Sequence, residues 1–343
     1  MKKLLNTLYI TTENAYLSLD GENIVILQNK EALGRFPLHQ LESVVSFSRL
    51  GASPALMGKC AEMNISLCFH SPQGRFLSRI VGREYGNVIL RKSQYRMSDN
   101  LSQSHLIAKS FLIGKIYNSR CVIERAIRDY PLRLDIEKLQ KVSSFLKNSI
   151  HAISSSSNLE QLRGIEGEAA SLYFSVFNDL ILQQKNDFIF LGRNRRPPKD
   201  NVNALLSFVY SLLSNQTAWA LTSVGLDSYV GFLHRDRPGR ASLALDLMEE
   251  LRSILADRFV LSLINTKMIQ GKDFIQKEDG AVFMTEDARK TILSAWQSKK
   301  QDSLSHPFLE EKVEWGMIPY TQALLLSRYI RGDLDAYPPF MWK

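Results

Sequence analysis

Cysteine is scarce: Cys60, Cys68 and Cys121 are the only three in 343 residues, and none lies in a CxxC pair. An odd, widely spaced set cannot close a disulfide framework. Mostly apolar neighbours point instead to buried, reduced thiols. Long apolar runs are also missing, and no stretch approaches the roughly 18 residues of a membrane-crossing helix. The opening MKKLLNTLYITTEN has the two lysines of a secretory signal. Asn6 and Thr7 then break the apolar stretch before it reaches the length of a signal core. The expectation is a soluble, cytoplasmic protein. No fixed-period repeat and no low-complexity tail is found, which excludes solenoid architectures.

What the chain does have is positive charge. Against 35 acidic residues stand 43 lysines and arginines, giving +8. Such an excess suggests a polyanionic partner, although it bears on association and not on fold. A hydrophobic content of 45% with 23% charged residues is that of a globular chain with a real core. The length calls for two domains.

The expected fold class is α+β. An N-terminal β-rich domain, residues 1–98, is followed by a larger all-α catalytic domain, residues 99–343. Alternation over Ala15–Leu19, an Asp20-Gly21 turn and the run Ile24–Leu27 predict a hairpin. Val44–Phe47 is another extended stretch. Pro54–Met63 is predicted helical, with Ser53 as N-cap and Pro54 at the first position. Ile65–Phe69, the turn Ser71–Gly74 and Phe76–Val81 make a second hairpin. Past Ser98-Asp99-Asn100 the period becomes helical, through Phe111, Leu146, Ala170, Tyr173 and Phe177. Ser154–Asn158 is an inter-helix loop that caps the next helix. Tyr337-Pro338-Pro339 leaves the helical pattern as an extended end.

Three segments of the helical part carry candidate chemistry. In Arg163-Gly164-Ile165-Glu166-Gly167-Glu168, two glycines sit near Glu166 inside a helix. Each costs roughly 1 kcal/mol there against alanine. The expected compensation is a close approach by a helix, ligand or phosphate. Glu166 shares a face with Ala170, Tyr173 and Phe177, so it points inward and needs a partner, either a metal ion or an arginine. The second segment, Gly231–Arg240, sets His234 before a Pro-Gly turn bearing Arg235, Arg237 and Arg240. Arginine forks match phosphate oxygens; otherwise such a turn is simply solvated. In the third, Ser242–Arg252, Asp246 and Glu249 are three apart on one helical face. Leu243, Leu247, Leu251 and Ile254 form its core side, with Glu250 and Arg252 expected at the surface. Together these carboxylates and one imidazole supply part of a hard-cation site, favouring Mg²⁺ or Mn²⁺ over zinc.

The stretches LRGIEGEAASLYF, RNRRPPKDNVNALLSFVYSLL and GFLHRDRPGRASLALDLMEELR, in this order over nearly the whole chain, resemble the CRISPR-associated adaptation nuclease-integrase, the Cas-one family. Length and wording lie nearest its subtype I-C branch. The resemblance implies Glu166, His234 and Glu249 as metal ligands for Mg²⁺ or Mn²⁺. It places Asp246 beside the metal as a supporting or substrate-side catalytic group. Many relatives carry Asp where this chain has Glu249; the longer arm should still reach an ion. The resemblance further implies double-stranded DNA as substrate, a homodimer joined through the β domain, and a small bridging Cas-two partner. The middle stretch places Arg193, Arg195 and Arg196 before two prolines and the helix Asn203–Leu213, with Asn201 near its start. Basic residues on a stiff loop suit a DNA backbone, as do Arg235, Arg237 and Arg240. Two other readings stay open: a non-catalytic DNA-binding scaffold, and a metal-dependent nuclease acting on RNA.

Overall fold

A computed structural model of the chain describes residues 6–82 and 88–342. Lys2 and Lys3 of the signal-like opening lie outside the described residues. The first strand-forming run is short and apolar, Thr7–Ile10 (β1). The alternating run expected as a hairpin pairs Tyr16–Asp20 (β2) with Asn23–Gln28 (β3), the two ends closing at Asp20 and Asn23. Glu31–Pro37 (β4) adds a third antiparallel strand. Ser43–Ser46 (β5) lies parallel to β1. Pro54–Glu62 (α1) starts as expected: Ser53 Oγ accepts from Leu56 N at 3.2 Å and Pro54 needs no N–H partner. Ser66–His70 (β6) and Phe76–Arg79 (β7) complete a four-stranded sheet of order β1-β5-β6-β7. Between the sheets Leu17, Ile24, Val44, Leu56, Cys60 and Leu67 make a core. Cys60 and Cys68 are buried and free, and Cys121 is half-buried.

The rest of the chain is mostly helical: Val88–Asp99 (α2), Leu101–Asp129 (α3), Ile136–Ser154 (α4), Leu159–Ser175 (α5), Asn201–Ser223 (α6), Ser242–Leu251 (α7) and Arg258–Asn265 (α8). Asn158 caps α5, its side-chain oxygen taking Gln161 N at 3.0 Å. Two short ribbons interrupt the helices, a feature the sequence pattern did not disclose. The first pairs Phe274–Gln276 (β8) with Val282–Met284 (β9). The helix Glu286–Gln301 (α9) follows, then Ser303–Ser305 (β10) paired with Lys312–Glu314 (β11). Ile318–Arg331 (α10) is the last helix, and Tyr337–Trp342 runs on without regular structure.

Two compact units result, Met1–Tyr85 with Met284–Asp302, and Gly86–Phe283 with Ser303–Lys343. This division differs from a single boundary near residue 98. Helix α2 packs with the helical unit, where Gln94 Nε2 donates to the Asp227 and Val230 carbonyls at 2.8 and 2.9 Å. Helix α9 belongs with the strands, where Lys300 Nζ reaches Thr7 Oγ1 at 2.9 Å.

Within the helical unit, α7 is surrounded. Leu243, Leu247 and Leu251 are fully buried, each contributing about 2 kcal/mol from burial. Glu250, expected at the surface, is 0% exposed. The amphipathic pattern of α7 marks one core face, but the helix is buried all round, at every residue except Leu245. Where α7 should end, the backbone widens into a π-helical stretch, Arg252–Asp257, before α8 begins. Such stretches are rare and concentrate at functional sites.

Candidate active site

Glu166 on α5 and Glu249 on α7 meet at one cation. Lys115 Nζ of α3 is hydrogen-bonded to Glu166 Oε1 and lies 2.8 Å from Glu249 Oε2. Arg252 holds the other oxygen, Glu249 Oε1, at 2.8 Å. Burial opposes ionisation of Glu249, but Arg252 and Lys115 outweigh it and hold the carboxyl down to about 2. Glu249 therefore stays charged at any working pH. Arg252 was expected as a surface charge; it is instead half-buried and pairs with Glu249 three positions before it.

His234 is held by Asp246. Its Nδ1 lies 2.5 Å from Asp246 Oδ1, which also accepts from His234 N at 3.0 Å. Asp246 Oδ2 takes the N–H groups of Phe232 and Leu233 at 2.7 and 2.9 Å. Three backbone donors and an imidazole saturate this buried carboxylate, so its task is to fix the loop and the ring. A Cβ on Gly231 would meet Asp246 Oδ2 at 2.8 Å, so glycine alone lets the loop lie this close to α7. The ring nitrogen turned away, Nε2, is left for other chemistry. A cleft of about 410 Å³ opens beside His234, lined in part by Ser102, Ser157, Arg163 and Arg235.

The arginine-rich loop turns at Arg237–Arg240, closed by Arg240 N to Arg237 O at 3.0 Å, with Gly239 at φ +74. That is the turn Pro238-Gly239 encodes. Arg235 and Arg237 are exposed, and Arg235 pairs with Glu160. Arg240 is half-buried and bonds back to the Arg235 carbonyl. In the other loop Arg195 and Arg196 are exposed, whereas Arg193 folds inward. Its Nη1 donates to Asn203 Oδ1 at 2.5 Å and its guanidinium stacks on Tyr210, 5.1 Å from the ring centre. Burial lowers its pKa. Arg252 lies over the same ring at 5.0 Å. Tyr210 in turn donates to Asp257 Oδ1 at 2.5 Å, and Tyr173 donates to Asp257 Oδ2 at 3.1 Å.

Gly164 and Gly167 do not serve a close approach within this chain: a Cβ on either meets nothing within 4 Å. Sequence reasoning missed Lys115 and the Tyr210–Asp257 support of Arg252. The signal for Lys115 was present, a lone cation between apolar Ile113 and Ile116 in α3. Such a residue needs a carboxylate partner when it faces a core.

Whether these groups suit a divalent ion can be judged from the donor set. Two carboxylates and an imidazole are hard ligands of the right kind. A position shared by both carboxylates is a position for positive charge, and Lys115 now supplies that charge. Glu249 Oε2 is buried without a directional hydrogen bond. As placed, no three His, Cys, Asp or Glu among the described residues cluster closely enough to hold an ion. The groups fit an ion provided Lys115 withdraws.

The chain as a whole is similar to known proteins. The family model for CRISPR associated protein Cas1 matches residues 8–298. A CRISPR-associated endonuclease Cas1 of Chlorobaculum tepidum is 49% identical over 343 residues, 100% of each chain. A casposase bound to an integration product has the same fold, with TM-score 0.84 and 22% identity, covering 98% of this chain and 94% of its own. A chain of a Cas6-RT-Cas1–Cas2 complex is alike over 100% of this chain and 36% of its own, with TM-score 0.81 and 24% identity.

Proposed function

The chain belongs to the Cas1 family, and on that footing we propose that it is a divalent-metal-dependent DNA endonuclease and integrase of CRISPR adaptation, of subtype I-C. One observation carries the reading: carboxylates from α5 and α7 converge on a single cation position, with an oriented histidine alongside.

Glu166, Glu249 and His234 are the residues that would hold Mg²⁺ or Mn²⁺. Such an ion offsets charge developing on a scissile phosphate and lowers the pKa of a bound hydroxyl or water. Asp246 keeps the His234 ring turned so that Nε2 faces outward. Arg252 keeps Glu249 ionised when Lys115 leaves it. Arg195, Arg196, Arg235 and Arg237 are exposed to grip phosphates of double-stranded DNA. The reaction is direct exchange at phosphorus. The 3′-hydroxyl of a captured fragment forms a new P–O bond at the repeat boundary while the old P–O bond breaks and leaves a 3′-hydroxyl. With water as attacking group the same site is an endonuclease.

Joining two ends calls for two sites, so the active form is a homodimer bridged by the small Cas2 protein. Exposed Leu33 and Phe36 on β4 support a joining surface in the strand-rich unit. A monomer by sedimentation at micromolar concentration would count against it. The decisive experiment compares Glu166→Ala and His234→Ala with wild type in strand-transfer and DNA-binding assays. Both variants should lose strand transfer and keep folding and most DNA affinity; metal-dependent activity surviving in both overturns the proposal.

A further inference from the structure

Behind the acidic face of α7, a second cluster faces away from the reaction. Glu250, next in sequence to Glu249 and so about 100° round the helix from it, is fully buried. The three donors it meets are all neutral. Its Oε1 accepts from Tyr337 Oη at 2.6 Å, and its Oε2 accepts from Phe340 N at 2.6 Å and Gln322 Nε2 at 2.9 Å. Two of these three donors belong to the irregular segment Tyr337–Trp342. From the geometry we infer that this segment is a strap that sets the position of Glu249, with Glu250 and Tyr337 as positioning residues for the metal-dependent reaction. The inference rests on the functional reading given above.

Helix α3 ties the strap to the site. Asn118 Nδ2 donates to the carbonyls of both Glu250 and Phe340 at 2.7 Å, and Asn118 Oδ1 accepts from Trp342 N at 2.8 Å. One turn earlier, Gly114 lets Glu250 and Pro339 press against the helix; a Cβ there would meet both side chains at 3.1 Å. Between these positions stands Lys115, which reaches Glu166 and Glu249. The same turn of α3 therefore contacts the strap on one side and the two acids on the other. Beyond Asn118 the strap is anchored by Trp342, whose ring lies 4.2 Å from the Arg258 guanidinium carbon. Arg258 follows the π-helical stretch directly, so both ends of the Glu249-to-Arg258 segment are held by one strap. A buried carboxylate met by three donors is worth keeping only if all three stay in place. Lifting the strap therefore frees α7 to rotate or slide, and Glu249 moves with it.

Tyr337→Phe keeps the ring, with its edge contact to Phe111, and removes one donor to Glu250. Two quantities should be measured on the full chain: steady-state DNA cleavage with Mn²⁺, and amide hydrogen exchange along residues 242–251. The expected result is a kcat lowered about tenfold, as for residues that orient metal ligands, with KM for DNA unchanged. Exchange should quicken in α7 while α4 and α6 keep wild-type rates. Unchanged exchange in α7, or an unchanged kcat, overturns the strap. Trp342→Ala, outside the Glu250 cluster, reads the same two quantities should Tyr337→Phe fold poorly. Exchange needs no nuclease activity. A wild-type chain without metal-dependent cleavage would sink the functional reading and leave the strap's hold on α7 still measurable.

Discussion

Lys115 shows how one side chain can hold a site in order before its ion arrives. Two carboxylates brought together repel, and a buried, uncompensated charge costs several kcal/mol. The ammonium between Glu166 and Glu249 removes that cost and takes the place a divalent ion would need. Lys115→Met should therefore lower the melting temperature in the absence of metal. Added Mn²⁺ should raise it more in the variant than in wild type, because the ion no longer displaces an ammonium. Scanning fluorimetry with and without Mn²⁺ reads both effects; equal shifts in the two proteins would mean that Lys115 and the ion do not share a position. Asp246 teaches the complementary lesson. Spacing puts it on a face with Glu249, but only the fold shows three N–H groups and an imidazole using up its oxygens.

At the scale of elements, α5 and α7 were legible and their surroundings were not. The cap at Asn158 and the face of Glu166 follow from local chemistry and the 3.6-residue period. The two glycines did not find the close neighbour expected of them. Gly164→Ala and Gly167→Ala should each raise stability by up to about 1 kcal/mol, since a methyl group there enters open space in a helix interior. The denaturant midpoint measures this. Loss of DNA cleavage in these stabilised variants would place the substrate against that face of α5, and full activity would leave the glycines without a role. For α7 the pattern identified one buried face. Burial of Glu250 depends on α3 and on a segment some ninety positions away, which no window along α7 can contain.

For the whole molecule, the strand-rich unit closes only when α9 returns to it late in the chain. Lys300 marks that closure. It is 4% exposed, and burial lowers its pKa from 10.5 to about 8 despite the nearby Glu42. Because the folded value is depressed, stability held back at neutral pH is regained as pH rises from about 8 towards 10.5. Lys300→Met should stabilise this unit at pH 7, by up to about 3 kcal/mol. The advantage should shrink towards zero near pH 10.5. Thermal melts of both proteins from pH 7 to 10.5 test it, and a gap that stays constant with pH would refute the assignment.

By itself the sequence determined the order of strands before helices, the caps and turns, and the three segments that carry acids and imidazole. Those features follow from side-chain period and backbone preference, which act within a few residues. Tertiary structure alone decided that Lys115 bridges two of those acids, that Asp246 serves His234, that Arg193 and Arg252 flank Tyr210, and that Glu250 is buried under a strap. Each of those is a contact between residues far apart in the chain. Its energy depends on desolvation and on the partner's position, and neither is written in local pattern.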